Sequence, residues 1–277
     1  MRIVNLIENT AGKVGCITEH GLSFYIETAR HRILSDFGPS DRMLENAKKL
    51  GIELSCVDTA VLSHGHYDHS GGLLSFARIN DHAKIYMQKT AFGEYCAEHE
   101  DGLKYIGIDR RIRDLTQVEM LEGDLRIDEE LSVFRVDQRK YDLPASNKRI
   151  REMKNGVSIQ DHFQHEHFLV IQENGIRVLI SGCAHSGILN IMDTFERKYG
   201  GSLNAVISGF HMMKKTDYTQ PEIDEIRSIA SVLNDYKTAF YTCHCTGIPA
   251  YEEMKGIMGD KLKYIHTGEE LIINGYT

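Results

Sequence analysis

Short apolar runs alternate with amphipathic stretches along the chain, and the two periods separate strands from helices. Residues 2–7 open as a β-rich run, and residues 22–28 alternate like a half-buried strand. Residues 32–36 follow after a tight connection, which predicts a hairpin with 22–28. Residues 39–50 predict a helix: Ser40 or Asp41 can cap it, Met43, Leu44, Ala47 and Leu50 supply the apolar stripe, and Gly51 closes it. Residues 57–62 and 84–87 read as short buried strands, with a helix starting at 72–76 between them and another around 90–95. Residues 118–121 and 131–136 read as further strands.

From residue 168 the alternation returns. Residues 168–171 and 176–180 flank Asn174-Gly175, a strong type I′ hairpin signal. A helix at 188–199, a strand at 205–207 and a helix at 221–233, with Pro221 near its first turn, come next. A strand at 239–242, a helix at 248–258 and two late strands close the chain. Strands followed by helix–strand alternation thus occur twice, before and after about residue 140. That order predicts an α/β (α+β) chain folded as a four-layer αβ/βα sandwich, with two sheets face to face and helices outside. No linker or repeat interrupts it, so residues 1–277 read as one domain, with a loop-rich insertion around 97–160.

Net charge sharpens the picture of that insertion. The chain carries −8 overall, yet residues 138–154 hold six Lys or Arg against two acids. Either this stretch is a solvated loop, or it is a flap that attracts an anionic substrate, with Arg149 and Arg151 as its binding residues. The overall negative charge argues against nucleic acid as a partner. No apolar run reaches the ~20 residues needed to cross a membrane, and the first residues lead directly into a strand rather than a signal peptide. Six cysteines in so long a chain suggest reduced thiols and a cytoplasmic location. Cys16, Cys56 and Cys96 read as small core residues.

Candidate chemistry concentrates after the strand at 57–62. His64, His66, Asp68 and His69 fall within six residues and are followed by Gly71-Gly72. Imidazole and carboxylate are the donors that suit zinc, iron or manganese. Gly65 would let the backbone turn so that His64 and His66 face one ion, leaving Asp68 and His69 for a second. Other histidines also follow apolar strands: His185, His211 and His244. Strand ends along one sheet edge converge, so distant positions can complete one site.

Ser63-His64-Gly65-His66-Tyr67-Asp68-His69-Ser70-Gly71-Gly72 resembles the signature of the metallo-β-lactamase superfamily. Leu34 to Gly38, Gly182-Cys183-Ala184-His185-Ser186-Gly187-Ile188, Gly209-Phe210-His211 and His244-Cys245-Thr246-Gly247 resemble one branch of it, the dihydropterin-methyl-aminobenzene ribofuranosyl phosphate synthase-like hydrolases. The resemblance spans nearly the whole chain and implies the same sandwich fold. It implies that His64, His66 and His185 hold a first metal, and that Asp68, His69 and His244 hold a second. The sequence departs from the superfamily where a strand normally ends in Gly-Asp, since Gly182-Cys183 stands there. Either His185 completes the first site, or His165 or His167 does so with Cys183 bridging. His211 reads as a ligand, a donor to the substrate, or a structural histidine, and Asp36 as a partner of a ligand histidine.

The function expected from these residues is hydrolysis by a hydroxide activated on two divalent ions, most simply zinc, with iron or manganese as alternatives. Asp68 would orient the nucleophile and shuttle its proton, and His211 would assist. The branch resemblance implies a phosphate-bearing small molecule, such as a phosphodiester or a pterin–ribofuranosyl phosphate. The same fold and metals also serve lactone and thioester hydrolysis. A metal-bearing sensor or redox module is the alternative of a different class.

Overall fold

The computed structural model describes residues 1–274. Two seven-stranded sheets form its centre. The first runs Glu270–Ile272, Arg2–Ile7, Ser23–Glu27, Arg32–Ser35, Thr59–Val61, Lys84–Gln88 and Val118–Leu121. The second runs Leu262–Tyr264, Ala239–Thr242, Ala205–Ser208, Ile176–Ile180, Phe168–Glu173, Leu131–Phe134 and Leu125–Arg126. Each sheet is antiparallel on one side and parallel on the other. Arg32–Ser35 through Val118–Leu121 pair in parallel, as do Ile176–Ile180 through Leu262–Tyr264. Parallel neighbours require crossovers, which the helices supply.

Neighbouring residues on a strand point to opposite faces, and that alternation builds the layers. In the first sheet Leu34 and Ala60 turn outward onto Met43 and Ala47 of helix Arg42–Lys49 and onto Leu73 and Phe76 of helix Leu73–Ile79. Their neighbours Ile33 and Val61 turn inward, where they share one cluster with Leu169, Ile171, Ile180 and Ile207 of the second sheet. Val170, Leu179 and Val206 then turn outward again, into a cluster with Met192, Phe195, Ile226 and Met254. Those residues belong to helices Ile188–Tyr199, Gln220–Asn234 and Ile248–Met258. The result is helix, sheet, sheet, helix, the four-layer αβ/βα sandwich expected from the order of elements. Burial on both faces explains why the central strands read as unbroken apolar runs.

The hairpin at Asn174-Gly175 forms with both residues left-handed, at φ 49° and 79°. Two expectations fail between residues 90 and 160. The helix around 90–95 is instead a 3₁₀ turn, Lys89–Phe92, followed by strand Tyr95–His99. Buried Tyr95 donates its hydroxyl to Thr90 O at 2.6 Å, folding the turn back on itself, and the strand pairs on both sides. The stretch 138–154 is not all loop either. Ile150–Lys154 and Val157–Gln160 form a hairpin around Asn155-Gly156, at φ 52° and 77°. With Tyr95–His99 and Gly102–Tyr105 they make a four-stranded sheet beside the sandwich. Of the cysteines expected in the core, Cys96 is buried, Cys16 is half-buried and Cys56 is exposed.

Candidate metal centre

The chemistry-bearing residues sit where the parallel strands of both sheets end. Asp36 follows Arg32–Ser35, and His64 to His69 follow Thr59–Val61. Cys183 and His185 follow Ile176–Ile180, His211 follows Ala205–Ser208, and His244 follows Ala239–Thr242. Carboxyl ends of strands in open α/β sheets are the usual place for a ligand. Here each sheet contributes about half the donors. The backbone around them is strained: Asp36, Phe163, Ala184, His211 and His244 are left-handed without being glycine, with φ between 49° and 61°. Such residues cost of order 1–3 kcal/mol each and gather at functional sites.

Gly65 serves the histidine loop differently from the expected turn. It takes no positive φ, but a Cβ there would lie 2.6 Å from Ala91 O. Gly71 is a second close approach, since its Cβ would collide with the carbonyl of Pro39. The loop is therefore clamped between the Pro39 and Ala91 segments by contacts only glycine allows.

Three rings form a near-equilateral face. The ring centroids of His64 and His66 are 4.6 Å apart, and each lies 4.9 Å from that of His185. All three are buried, and the Nε2 atom of each lacks any hydrogen-bond partner. A buried nitrogen left unpaired is costly unless something else fills the role. His244 Nε2 is a fourth such atom. It lies 3.5 Å from Asp68 Oδ2, which is 3.9 Å from His69 Nε2, and the His69 and His244 rings are 5.1 Å apart. Between the groups stands buried Cys183. Its sulfur falls within 4.8 Å of ligand atoms of His64 and His185 and likewise of His69 and His244.

The opposite nitrogens of His64, His69, His185 and His244 are held by the protein, which fixes the tautomer of each of these four rings. Asp36 Oδ2 accepts from His69 Nδ1 at 2.7 Å and from Ser63 Oγ at 2.8 Å, while Asp36 Oδ1 accepts from Ser63 N at 2.7 Å. Ser63 Oγ in turn accepts from His64 Nδ1 at 2.8 Å. Asn147 Oδ1 accepts from His185 Nδ1 at 2.9 Å, and Asn9 Oδ1 from His244 Nδ1 at 2.8 Å. The Nε2 atoms of His64, His185 and His244 are then left with free lone pairs, while that of His69 lies 3.2 Å from Cys183 Sγ. His165 and His167 are placed differently. His165 accepts from Gly65 N at 2.9 Å and donates to Asp161 at 3.0 Å. His167 donates to Leu62 O at 2.8 Å and contacts Gln88 at 3.2 Å. Both have their ring nitrogens occupied, although His165 and Asp161 also bring ligand atoms within 4.8 Å of His66.

Electrostatics favour neutral imidazole. Burial holds His64 and His185 well below the usual range, and brings His66 to about 3 and His244 to about 4. His69 differs: burial opposes its charge, but Asp36 and Asp68 outweigh that and raise it to about 9. Burial pushes the Cys183 thiol up, with Cys245 adding to the effect. A cation among these groups would reinforce the neutral state of those imidazoles and reverse the preferences of His69 and Cys183, since it binds neutral imidazole and thiolate.

His211 sits against the face, its ring 4.1 Å from that of His185. Ser146 Oγ donates to His211 O at 2.5 Å and accepts from His211 Nδ1 at 2.6 Å. Burial, with nearby His66 and Arg149 among the causes, brings His211 to about 3. Arg149 is exposed but within electrostatic reach of the site. Arg151 is directed into the side sheet, 3.5 Å from Glu98 and bonded to Ser158 at 3.2 Å.

Several contributors carry no sequence signal. His20 Nε2 lies 3.7 Å from Asp68 Oδ2, its ring 5.0 Å from that of His244. Glu166 is buried and accepts from His185 N and Ser186 N, both at 2.7 Å. Phe163 stacks on His185 at 4.6 Å and 3°.

Residues 17–135 match the family model described as the metallo-beta-lactamase superfamily. An uncharacterized protein of Methanocaldococcus jannaschii is 31% identical over 274 residues, covering 95% of this chain and 97% of its own. The 7,8-dihydropterin-6-methyl-4-(beta-D-ribofuranosyl)-aminobenzene-5'-phosphate synthase of the same organism is 25% identical, covering 97% and 95%. Among solved structures, Tm1679, a metal-dependent hydrolase of the beta-lactamase superfamily, superposes with a TM-score of 0.84 at 28% identity, covering 99% of this chain and 100% of the other. Zn(2+)-bound PqqB from Methylobacterium extorquens shares the fold at a TM-score of 0.58 and 14% identity, covering 99% and 100%.

Proposed function

The chain belongs to the metallo-β-lactamase superfamily, and on that footing we propose that it is a metal-dependent hydrolase of a small, phosphate-bearing anion. The observation that carries this reading is the set of four buried, unpartnered Nε2 atoms on His64, His66, His185 and His244. Their donor chemistry fits two divalent ions, zinc before iron or manganese. His64, His66 and His185 would hold one ion, and Asp68, His69 and His244 the other. Cys183, whose sulfur reaches both groups, would stand in the place of a bridging carboxylate. When bound, such ions supply Lewis acidity and make water nucleophilic near neutral pH.

The chain's own groups do the rest. Asp68 would orient the attacking water and take its proton as the new P–O bond forms. The bond to the departing alkoxide breaks, and the proton leaves with it. With Nδ1 donated to Ser146, neutral His211 would present a lone pair at Nε2, accepting a hydrogen bond from water or substrate. Arg149 would draw the anion in; Arg151, already engaged by Glu98, would contribute mainly field. A cytoplasmic setting accords with all six thiols being free, and among the described residues no helix is long and apolar enough to cross a membrane.

Metal analysis of the purified protein, paired with a panel of phosphodiesters, phosphomonoesters, lactones and thioesters, tests the reading. His66→Ala should lose an ion and nearly all hydrolysis. Wild-type protein fully loaded with metal yet inert to all four classes would refute the hydrolase.

A further inference from the structure

Beside the histidine cluster lies a cavity of about 330 Å³, between residues 141–146 and helix Gln220–Asn234. Its walls are apolar and rich in rings. Phe210 and Ile226 are buried, while Tyr141, Met212, Tyr218 and Ile229 pack partly buried against the same core and line the cavity. Some of the polar groups nearby are already used, while Asp142, Glu225 and Ser228 also line the cavity. The Tyr218 hydroxyl donates to Met212 O at 2.9 Å, Lys214 pairs with Glu222 at 2.8 Å, and Ser146 is taken by His211. With Phe210, Tyr141, Tyr218, Ile226 and Ile229 on its walls, an occupant gains mostly from removing apolar surface from water.

His211 belongs to both places, because it lines the cavity while its ring lies 4.1 Å from that of His185. A molecule whose reacting group sits at the histidines could therefore extend past His211 into the cavity. Three aromatic side chains around one small space favour a flat partner in offset or edge-on contact. We propose that the cavity binds the non-reacting organic part of the substrate, and that this part is a planar ring system. The placement of the anionic end rests on the hydrolase reading above.

Calorimetry with the metal-loaded protein tests the proposal without requiring turnover, using 1-naphthyl phosphate and inorganic phosphate as probes. The ring-bearing anion should bind at least about tenfold tighter than phosphate. Ile229→Trp, which fills the cavity, should erase that ratio. Tyr218→Leu, which keeps the wall apolar but removes a ring, should cut it several-fold. Equal affinities in the wild type, or a ratio untouched by both substitutions, would overturn the proposal. Ring preference without hydrolysis of any ester would sink the hydrolase reading alone, and hydrolysis without ring preference would sink the cavity alone.

Discussion

Asp36 commits both of its carboxylate oxygens to the loop that carries the histidines. One oxygen fixes the backbone of Ser63, and the other takes the protons of Ser63 Oγ and His69 Nδ1. Partners of this kind, standing behind ligand histidines, are commonly worth 10–100-fold in metal affinity. Asp36→Ala should weaken ion binding by roughly that factor, read by chelator competition, and an unchanged affinity would reduce Asp36 to a loop anchor. Residues of this class divide sharply in how visible they are from the chain alone. His64, His66, Asp68 and His69 are legible because they are contiguous and follow an apolar strand. Asn9, His20, Asn147 and Glu166 are not, because a lone polar residue has no period. Their roles come from partners far away in sequence, 235 positions in the case of Asn9 and His244.

At the scale of elements, the histidine loop owes its shape to contact with its neighbours. Gly71 lets the loop lie directly on the Pro39 carbonyl, where a Cβ has no room. Since the obstacle is backbone, Gly71→Ala should cost about 1–3 kcal/mol of stability. It should also lower metal occupancy, and denaturant midpoints together with metal content would show both. Full occupancy in a destabilised variant would separate packing from the site. The elements also show why one Asn-Gly was readable and another was not. Asn174-Gly175 joins strands buried on both faces, so apolar runs announce it. Asn155-Gly156 joins Ile150–Lys154 to Val157–Gln160, both half-exposed and the first charged, and their side-chain pattern resembles a solvated loop. Tyr95–His99 misleads for a related reason, since only its first half is buried.

Over the whole molecule, the repeated order of strands and helices was enough to give the four layers, because each buried face demands its own cover. The same burial sets the pH response. In metal-free protein, burial brings His66 to about 3 and His167 and His244 to about 4, against an ordinary 6.5. Below pH 6.5 the unfolded chain binds protons that these folded groups refuse, so stability falls as pH falls through that window. His69 works on the other side: raised to about 9, its contribution is complete below 6.5 and is lost as pH rises through 9. The chelator-treated protein should therefore lose a few kcal/mol between about pH 6.5 and 5, at up to ~1.4 kcal/mol per group per pH unit. A urea midpoint that stays level over that range would contradict buried neutral imidazoles.

The donors come in halves, with His64 to His69 at the tips of one sheet and Cys183, His185 and His244 at the tips of the other. Neither half closes a coordination shell by itself. If ions bind as proposed, their capture during synthesis would have to wait until residue 244 has emerged and the layers have docked, so loading would be the final act of maturation. An ion seated there would act as a rivet through the seam, and at a hundredfold excess over its dissociation constant would hold the layers together by about 2.7 kcal/mol.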